Sequence, residues 1–494
     1  MNDPSRSYRW LLLVTSAITI AFLVGAAVRE NYLAQWKTIQ RQYQDILRQK
    51  ATDDRGRELL AKFRVEMKQA SIPALGAVDR CVTCHNGVDD PRMTDVPQPH
   101  RVHPGNLLDK HPVDRFGCTV CHHGQGAALT FREAKADDVF WDYPLLPKEL
   151  TEAACVACHD ADKLPPQQIP LLTVGMRLYR DKSCGSCHKL GGRGGTLGPA
   201  LDNEGAKTKH QLIMSALKPP HTTWNWQLAH FRDPGGVVPD SQMRNPTVTR
   251  QEALALTAFM LSQWKRDVPE SYLAPDKIEQ KYRALHPAPL PGEQVYQQYC
   301  AACHGNGTYT RWDKKFGRFV PAIRGVSLAA TATQEYLQAN IENGRPGTQM
   351  PAWGAHAGGL MPAEISAVIA YLRSGVTTAP PLPRLTLHGD ETRGLSLYLR
   401  NCEGCHGMSG RGGIAPEIGN PVFQAAASDD LILRTIRSGR LGTPMPAFQR
   451  DDGAVLSDQD LADVLAYLRS LREPTERVVT AHNPAPAVRG GGKP

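Results

Sequence analysis

The chain has 494 residues, 41% hydrophobic and 21% charged, which is length for about three ordinary domains and the balance of folded material, so disorder and collagen are excluded. Its 43 glycines and 38 prolines, against 7% aromatic residues, favour short helices and loops over long sheets or one large barrel. The 12 cysteines are too dilute for a disulfide scaffold, and the formal charge of +8 includes no concentrated basic run that would serve a phosphate backbone, which excludes nucleic acid as a partner.

Residues 10–28 are uncharged and mostly apolar, and at about 1.5 Å per helical residue they reach roughly 29 Å, one hydrocarbon thickness. Arg6 and Arg9 precede them, so the positive-inside rule makes residues 1–9 a cytoplasmic tail, 10–28 a transmembrane helix and the remainder external. A cleaved signal peptide ending at Gly25-Ala26-Ala27 is the rival reading, and the length of the apolar run favours retention. With no cysteine nearby, a lipid anchor has no acceptor. Residues 29–70 read as a helical stalk, with Leu33, Trp36, Ile39, Tyr43 and Ile46 recurring at three- and four-residue spacing. This stripe packs either on the rest of the chain or on the helix of a membrane partner.

Every cysteine falls in a Cys-x-x-Cys-His unit: Cys81/Cys84/His85, Cys118/Cys121/His122, Cys155/Cys158/His159, Cys184/Cys187/His188, Cys300/Cys303/His304 and Cys402/Cys405/His406. Two thiols at this spacing add across the vinyl groups of a haem, and the adjacent histidine reaches the iron as proximal ligand. Zinc ribbons, redox pairs and structural thiols do not require a histidine directly after both cysteines. Six units from six cysteine pairs predict six covalently bound haem c groups, and the chain resembles the multihaem c-type cytochromes. The haem propionates would carry the charge from +8 to about −4.

The first three units step by 37 residues with little apolar sequence between them, which predicts a loop-rich trihaem module over 71–165 whose haems serve as its core. Each later unit heads a longer segment. A glycine and an aliphatic-tyrosine pair precede it (Gly175 with Leu178-Tyr179, Gly292 with Val295-Tyr296, Gly394 with Leu397-Tyr398), and Pro199, Pro321 or Pro416 follows. A loop methionine comes next (Met243, Met350, Met445), and an amphipathic helix carrying Phe259, Tyr371 or Tyr467 closes the segment.

This order resembles class I monohaem cytochrome c domains, three in tandem over 166–275, 289–376 and 387–473, each implied to be all-helical with its first and last helices crossing. The resemblance implies Met243, Met350 and Met445 as distal iron ligands, and the carbonyls of Pro199, Pro321 and Pro416 as acceptors for the proximal histidines. Met243 departs from the pattern, since Arg244-Asn245-Pro246 follows it where the other two are followed directly by proline. Proline-rich stretches at 287–291 and 379–383 separate the later domains, and 474–494 reads as a flexible tail.

For the trihaem module, His100, His103, His111 and His123 are the available distal ligands for three irons. His103 and His111 precede proline, which holds the backbone extended, and His123 follows a proximal histidine and points elsewhere. These three are the expected ligands, with His100 the weakest of the four. Bis-histidine ligation gives lower potentials than histidine-methionine ligation, because thioether sulfur favours ferrous iron.

The fold expected is therefore mostly α: a transmembrane helix, a loop-rich trihaem module, then three all-helical cytochrome c domains. The function expected is that of a non-catalytic electron-transfer subunit anchored in a bacterial cytoplasmic membrane with its haem domains in the periplasm. The trihaem pattern around residues 116–126 is similar to cytochromes that accompany b-type quinol-oxidising complexes. That implies an integral-membrane b-type subunit as donor, and a soluble cytochrome or terminal oxidase as acceptor. The alternative is a multihaem reductase or peroxidase with one open haem site, against which stand enough methionines and histidines to fill every distal position.

Overall fold

The computed structural model describes residues 4–137, 140–380, 387–449 and 455–472. The tail expected at 474–494 and residues 381–383 of the second proline-rich stretch lie outside them. Helix makes up 52% of the chain and strand 3%, so the fold is mostly α.

Helix α1 (Pro4–Tyr32) is exposed along its length, and among the described residues it is the helix long and apolar enough to cross a membrane. Its internal hydroxyls fold back on the helix: Thr15 Oγ1 donates to the Leu11 and Leu12 carbonyls at 2.9 and 3.0 Å, and Thr19 Oγ1 to Thr15 at 2.8 Å. Neither threonine hydroxyl then needs water.

The chain divides into two compact units, one of residues 1–173, 205–230 and 253–281, the other of 174–204, 231–252 and 282–494. The segment 166–275, expected to form one domain, thus contributes residues to each.

In the first unit the expected stalk is two helices, α2 (Gln35–Lys50) and α3 (Asp54–Lys62), followed by extended chain and the antiparallel pair β1 (Ala70–Ile72) and β2 (Ala77–Asp79). The Asp53 side chain caps α3 by accepting from the Gly56 N–H at 2.7 Å. The α2 stripe packs on the chain itself: Tyr43 and Leu47 form a core with Met93 and Val96, with Ile46 at its edge, while Leu33 stays exposed. At the centre of the same face, fully buried Gln40 donates to the Glu66 and Thr83 carbonyls at 2.7 and 2.9 Å and accepts from the Glu66 N–H at 2.9 Å. Both ends of its amide are bonded, so burial carries no unsatisfied cost, and α2 is clamped to the turn that precedes Cys84. Leu254, Ala258 and Leu261, from the helix expected to close the fourth haem domain, pack on Leu146, Leu150 and Ala153.

In the second unit, helices α4 (Gly292–Tyr299), α5 (Gln334–Asn343), α6 (Pro362–Arg373), α7 (Glu391–Asn401), α8 (Asp429–Ser438) and α9 (Asp458–Ser470) enclose one shared apolar core. Two crossings repeat, α4 with α6 and α7 with α9, and each is made at a glycine. A Cβ on Gly292 would collide with the Ala367 carbonyl, and one on Gly394 with that of Asp463. Above each crossing two tyrosine rings meet at the same 51° tilt, Tyr296 with Tyr371 at 5.4 Å and Tyr398 with Tyr467 at 5.2 Å. Substituting Gly394→Ala is expected to overpack this contact, at a cost of about 1–3 kcal/mol, read as a lowered thermal midpoint with covalent haem retained.

A buried carboxylate also recurs on each closing helix. Glu364 accepts from the Leu290 and Met361 N–H groups, both at 2.9 Å, and Asp463 from the Asp390 N–H at 2.8 Å. Each has an arginine partner, Arg193 for Glu364 at 2.6 Å and Arg393 for Asp463 at 2.5 Å, so neither charge is buried alone.

Candidate haem sites

Each of the six motifs folds as one helical turn in which the histidine N–H donates to the carbonyl of the first cysteine: His85 to Cys81 at 2.8 Å, His122 to Cys118 at 3.0 Å, His159 to Cys155 at 2.9 Å, His188 to Cys184 at 3.1 Å, His304 to Cys300 and His406 to Cys402 at 3.0 Å. Positions i, i+3 and i+4 share a helical face, so both thiols and the imidazole project to one side. None of the twelve thiols is in a disulfide. Burial pushes Cys155 and Cys300 up to about 12, so these remain thiols rather than thiolates that would gather a bare metal.

The twelve thiols are not equally covered, although the motifs alone treat them as equivalent. Ten are half-buried, whereas Cys121 and Cys405 are exposed. Cys405 follows Gly404, which is exposed and has open space around it. Its backbone is nevertheless held like that of the other motifs: the Cys405 N–H donates to the Cys402 carbonyl at 3.2 Å, and its own carbonyl accepts from Ala415 at 3.0 Å. The turn therefore keeps Cys405 in register with Cys402 and His406.

In the three later motifs the imidazole Nδ1 lies against a proline carbonyl, His188 with Pro199 at 2.8 Å, His304 with Pro321 at 3.0 Å and His406 with Pro416 at 2.8 Å. That contact puts the ring proton on Nδ1 and leaves Nε2 as the lone-pair donor. Burial lowers the basicity of His304 and His406, which keeps them neutral and able to ligate. The Tyr296 hydroxyl donates to the Gly305 carbonyl at 3.0 Å and that of Tyr398 to Gly407 at 2.6 Å, fixing the chain just past each proximal histidine.

The three methionine loops share a turn. A hydroxyl two residues earlier accepts the methionine N–H: Ser241 for Met243 at 3.2 Å, and Thr348 for Met350 and Thr443 for Met445 at 3.1 Å. The N–H of that hydroxyl residue in turn donates three residues back, to Val238, Arg345 and Arg440. Met243 therefore sits in the same local geometry as the other two despite its different sequel. Met350 and Met445 border the shared core. Met361, also followed by proline, caps α6, and Met408 is exposed.

In the first unit the proximal rings have histidine neighbours. His103 and His122 have ring centres 6.3 Å apart at 74°, and His111 and His159 lie 6.1 Å apart at 70°. A metal-bound imidazole nitrogen lies about 2 Å from the metal, so two rings on one iron have centres roughly 6 Å apart, and these pairs fit an iron between them. The Nδ1 atoms of His103 and His111 lie 3.0 and 3.1 Å from the Pro104 and Leu107 carbonyls, again leaving Nε2 to ligate.

The third pairing differs from the expected one. His123 does not meet a second proximal ring. It is half-buried with its Nε2 2.6 Å from Arg266 Nη2 and its ring against Trp264 and Tyr143, and desolvation beside that guanidinium drops its pKa to about 3. A neutral imidazole there accepts the arginine N–H. His100 lies beside His85: it is 3% exposed, is an electrostatic neighbour of His85, and follows Pro99, whose carbonyl accepts from the His85 ring. Pro99 stands to His85 as Pro199, Pro321 and Pro416 stand to the later proximal histidines.

Residues 172–264 match the cytochrome c family, and residues 287–372 and 389–468 match that of cytochrome c oxidase, cbb3-type, subunit III. Cytochrome c-554(547) of Halothiobacillus neapolitanus is 30% identical over 90 residues, 17% of this chain and 99% of that protein. The chain belongs to the c-type cytochromes. A cbb3-type cytochrome c oxidase subunit FixP of a Bradyrhizobium species is 33% identical to this cytochrome over 183 residues, 35% of this chain and 58% of that protein. A cytochrome bc1 complex cytochrome c subunit of Mycobacterium bovis is 27% identical over 212 residues, 40% of this chain and 69% of that protein. The cytochrome spans 58–60% of the length of its first FixP relatives. It is a multihaem cytochrome, and its cytochrome c domains imply covalently bound haem c.

Proposed function

We propose that this cytochrome is a membrane-anchored hexahaem electron carrier, held by α1 in a bacterial cytoplasmic membrane with its haem domains on the periplasmic side. In this reading each Cys-x-x-Cys pair holds one haem, the exposed Cys405 included. The proximal ligands are His85, His122, His159, His188, His304 and His406. The distal ligands are His100, His103 and His111 in the first unit, and Met243, Met350 and Met445 in the second. Bound haem supplies a one-electron couple, and the chain decides its potential through the sixth ligand.

The observation that carries the proposal is the pairing of imidazole rings at roughly 6 Å in one unit together with the repeated methionine turn in the other. Every iron then has two protein ligands, which suits transfer rather than substrate binding. The lower-potential group lies nearer the anchor in sequence and the higher-potential group farther along. That order fits electrons received from a quinol-oxidising b-type membrane subunit and passed to a soluble cytochrome or terminal oxidase. Likeness to a bc1-complex subunit and to cbb3-oxidase subunits supports a place in a respiratory complex.

An optical redox titration of the holoprotein, with haem counted by pyridine haemochrome and carbon monoxide added to the reduced form, tests this. Six low-spin haems in two potential groups, inert to carbon monoxide, are expected. A high-spin haem that binds carbon monoxide in the wild type would overturn the carrier reading in favour of a catalytic site.

A further inference from the structure

Arg244 occupies the position where the other two methionine loops have proline. Its guanidinium donates from Nη1 to the Ala302 carbonyl at 2.9 Å and lies 3.7 Å from Cys303 Sγ, so it sits on the fifth attachment motif although it follows Met243 of the fourth site. Nη2 pairs with Asp313, whose side chain is 3% exposed, and the guanidinium lies 5.7 Å from the Phe316 ring. Asp313 belongs to the hairpin of strands Arg311–Asp313 and Arg318–Val320, and Lys315 from the same hairpin donates to the Ser241 carbonyl on the other side of Met243. Arg311 adds a longer contact to the Ala302 carbonyl, at 3.3 Å. The Cys187 thiol of the fourth motif falls within the electrostatic reach of Cys303, Arg244 and Asp313. The two motifs also meet directly, with Gly185 against the Tyr299 ring and the Ser183 hydroxyl donating to the Gln297 carbonyl.

We propose that Arg244 is a positioning residue joining the fourth and fifth haem sites: it docks the Met243 loop on the fifth attachment motif, and its charge raises the potential of the fifth site. The inference rests on the hexahaem reading. Thioether sulfurs are bonded to the porphyrin, so a cation 3.7 Å from Cys303 Sγ lies close to the charge that reduction adds. Asp313 bonds the far side of the guanidinium and offsets the field only in part. Because the pair is largely screened from water, its effect is stronger than that of a surface pair. The cost of giving up proline in this loop is thereby matched by a contact that proline cannot make, and the two sites are held as one relay step.

The test is an optical redox titration of full-length holoprotein carrying Arg244→Met, Asp313→Asn or both, with the haem count taken first. The fifth site's component is identified as the one that Met350→His displaces. Arg244→Met is expected to shift that component's reduced-to-oxidised ratio about tenfold toward oxidised at fixed ambient potential, 59 mV for a one-electron centre. Asp313→Asn is expected to move it the opposite way, and the double variant to fall between. Asp313→Asn keeps the cation and still reports the field if Arg244→Met fails to assemble. Six haems with an unchanged fifth component in both single variants would overturn the proposal while leaving the hexahaem reading intact. A wild-type count below six, with no component displaced by Met350→His, would overturn both.

Discussion

Replacing His100 by alanine is expected to turn one inert low-spin haem into a high-spin haem that binds carbon monoxide, whereas His123→Ala leaves all six low-spin. His100 is the proposed sixth ligand at the first site, buried beside His85. Its ring also lies 5.9 Å from that of Tyr43 on α2, so α2 backs the ligand as well as the Cys84 turn. Removing the imidazole leaves one iron position without a protein donor, which is the condition for an exogenous ligand. His123 is held by Arg266, itself bonded to the Val120 carbonyl at 3.0 Å and lying over Trp264 at 4.0 Å. Its loss removes an acceptor from a buried guanidinium, so the cost appears in stability, about 1–3 kcal/mol, rather than in spin state. Electron paramagnetic resonance and carbon monoxide difference spectra of the two variants decide the matter. A high-spin signal from His123→Ala with none from His100→Ala would reverse the assignment.

The second large effect is expected at the methionine sites. Met350→His or Met445→His should lower the potential of one component by a sizeable share of the roughly 0.8 V that axial ligands span, while covalent attachment persists. The direction follows from ligand softness: thioether sulfur stabilises ferrous iron, whereas imidazole shifts the balance toward ferric. Both methionines border the core of the second unit, held by the hydroxyl two residues before them. Met361→Leu and Met408→Leu provide the contrast, since one caps a helix and the other is exposed. A redox titration in which Met361→Leu moved a component and Met350→His moved none would defeat the ligand set.

What could be read in the chain without its fold was whatever depends on a few consecutive residues. The Cys-x-x-Cys-His turns are five residues long and close with hydrogen bonds to the first cysteine's carbonyl, so their number and position are local facts. The apolar run at 10–28, and the glycine, tyrosine, proline and methionine landmarks of the later segments, are again local. The mostly helical fold followed from them; the crossings, which the resemblance to class I cytochromes implied, fall at Gly292 and Gly394, because only a residue without a side chain allows two backbones so close.

What the tertiary structure decided was pairing between groups far apart in sequence. Four histidines competed for three places in a module of loops, where no periodicity says which way a ring points. Arg266, 143 residues from His123, holds that ring in a contact no sequence pattern announces. The α2 stripe was equally suited to a partner helix or to its own chain, since amphipathicity names a face but not its occupant; Met93 and Val96 supply the occupant. The segment 166–275 reads as one domain because its landmarks come in order, yet the apolar face of its last helix is covered by Leu146, Leu150 and Ala153. Arg244 looked like a flaw in a methionine loop, and only its contact with Cys303 gives it a role. In each case the sequence names a side chain's chemistry, and the long-range contact chooses which of several equally acceptable partners satisfies it.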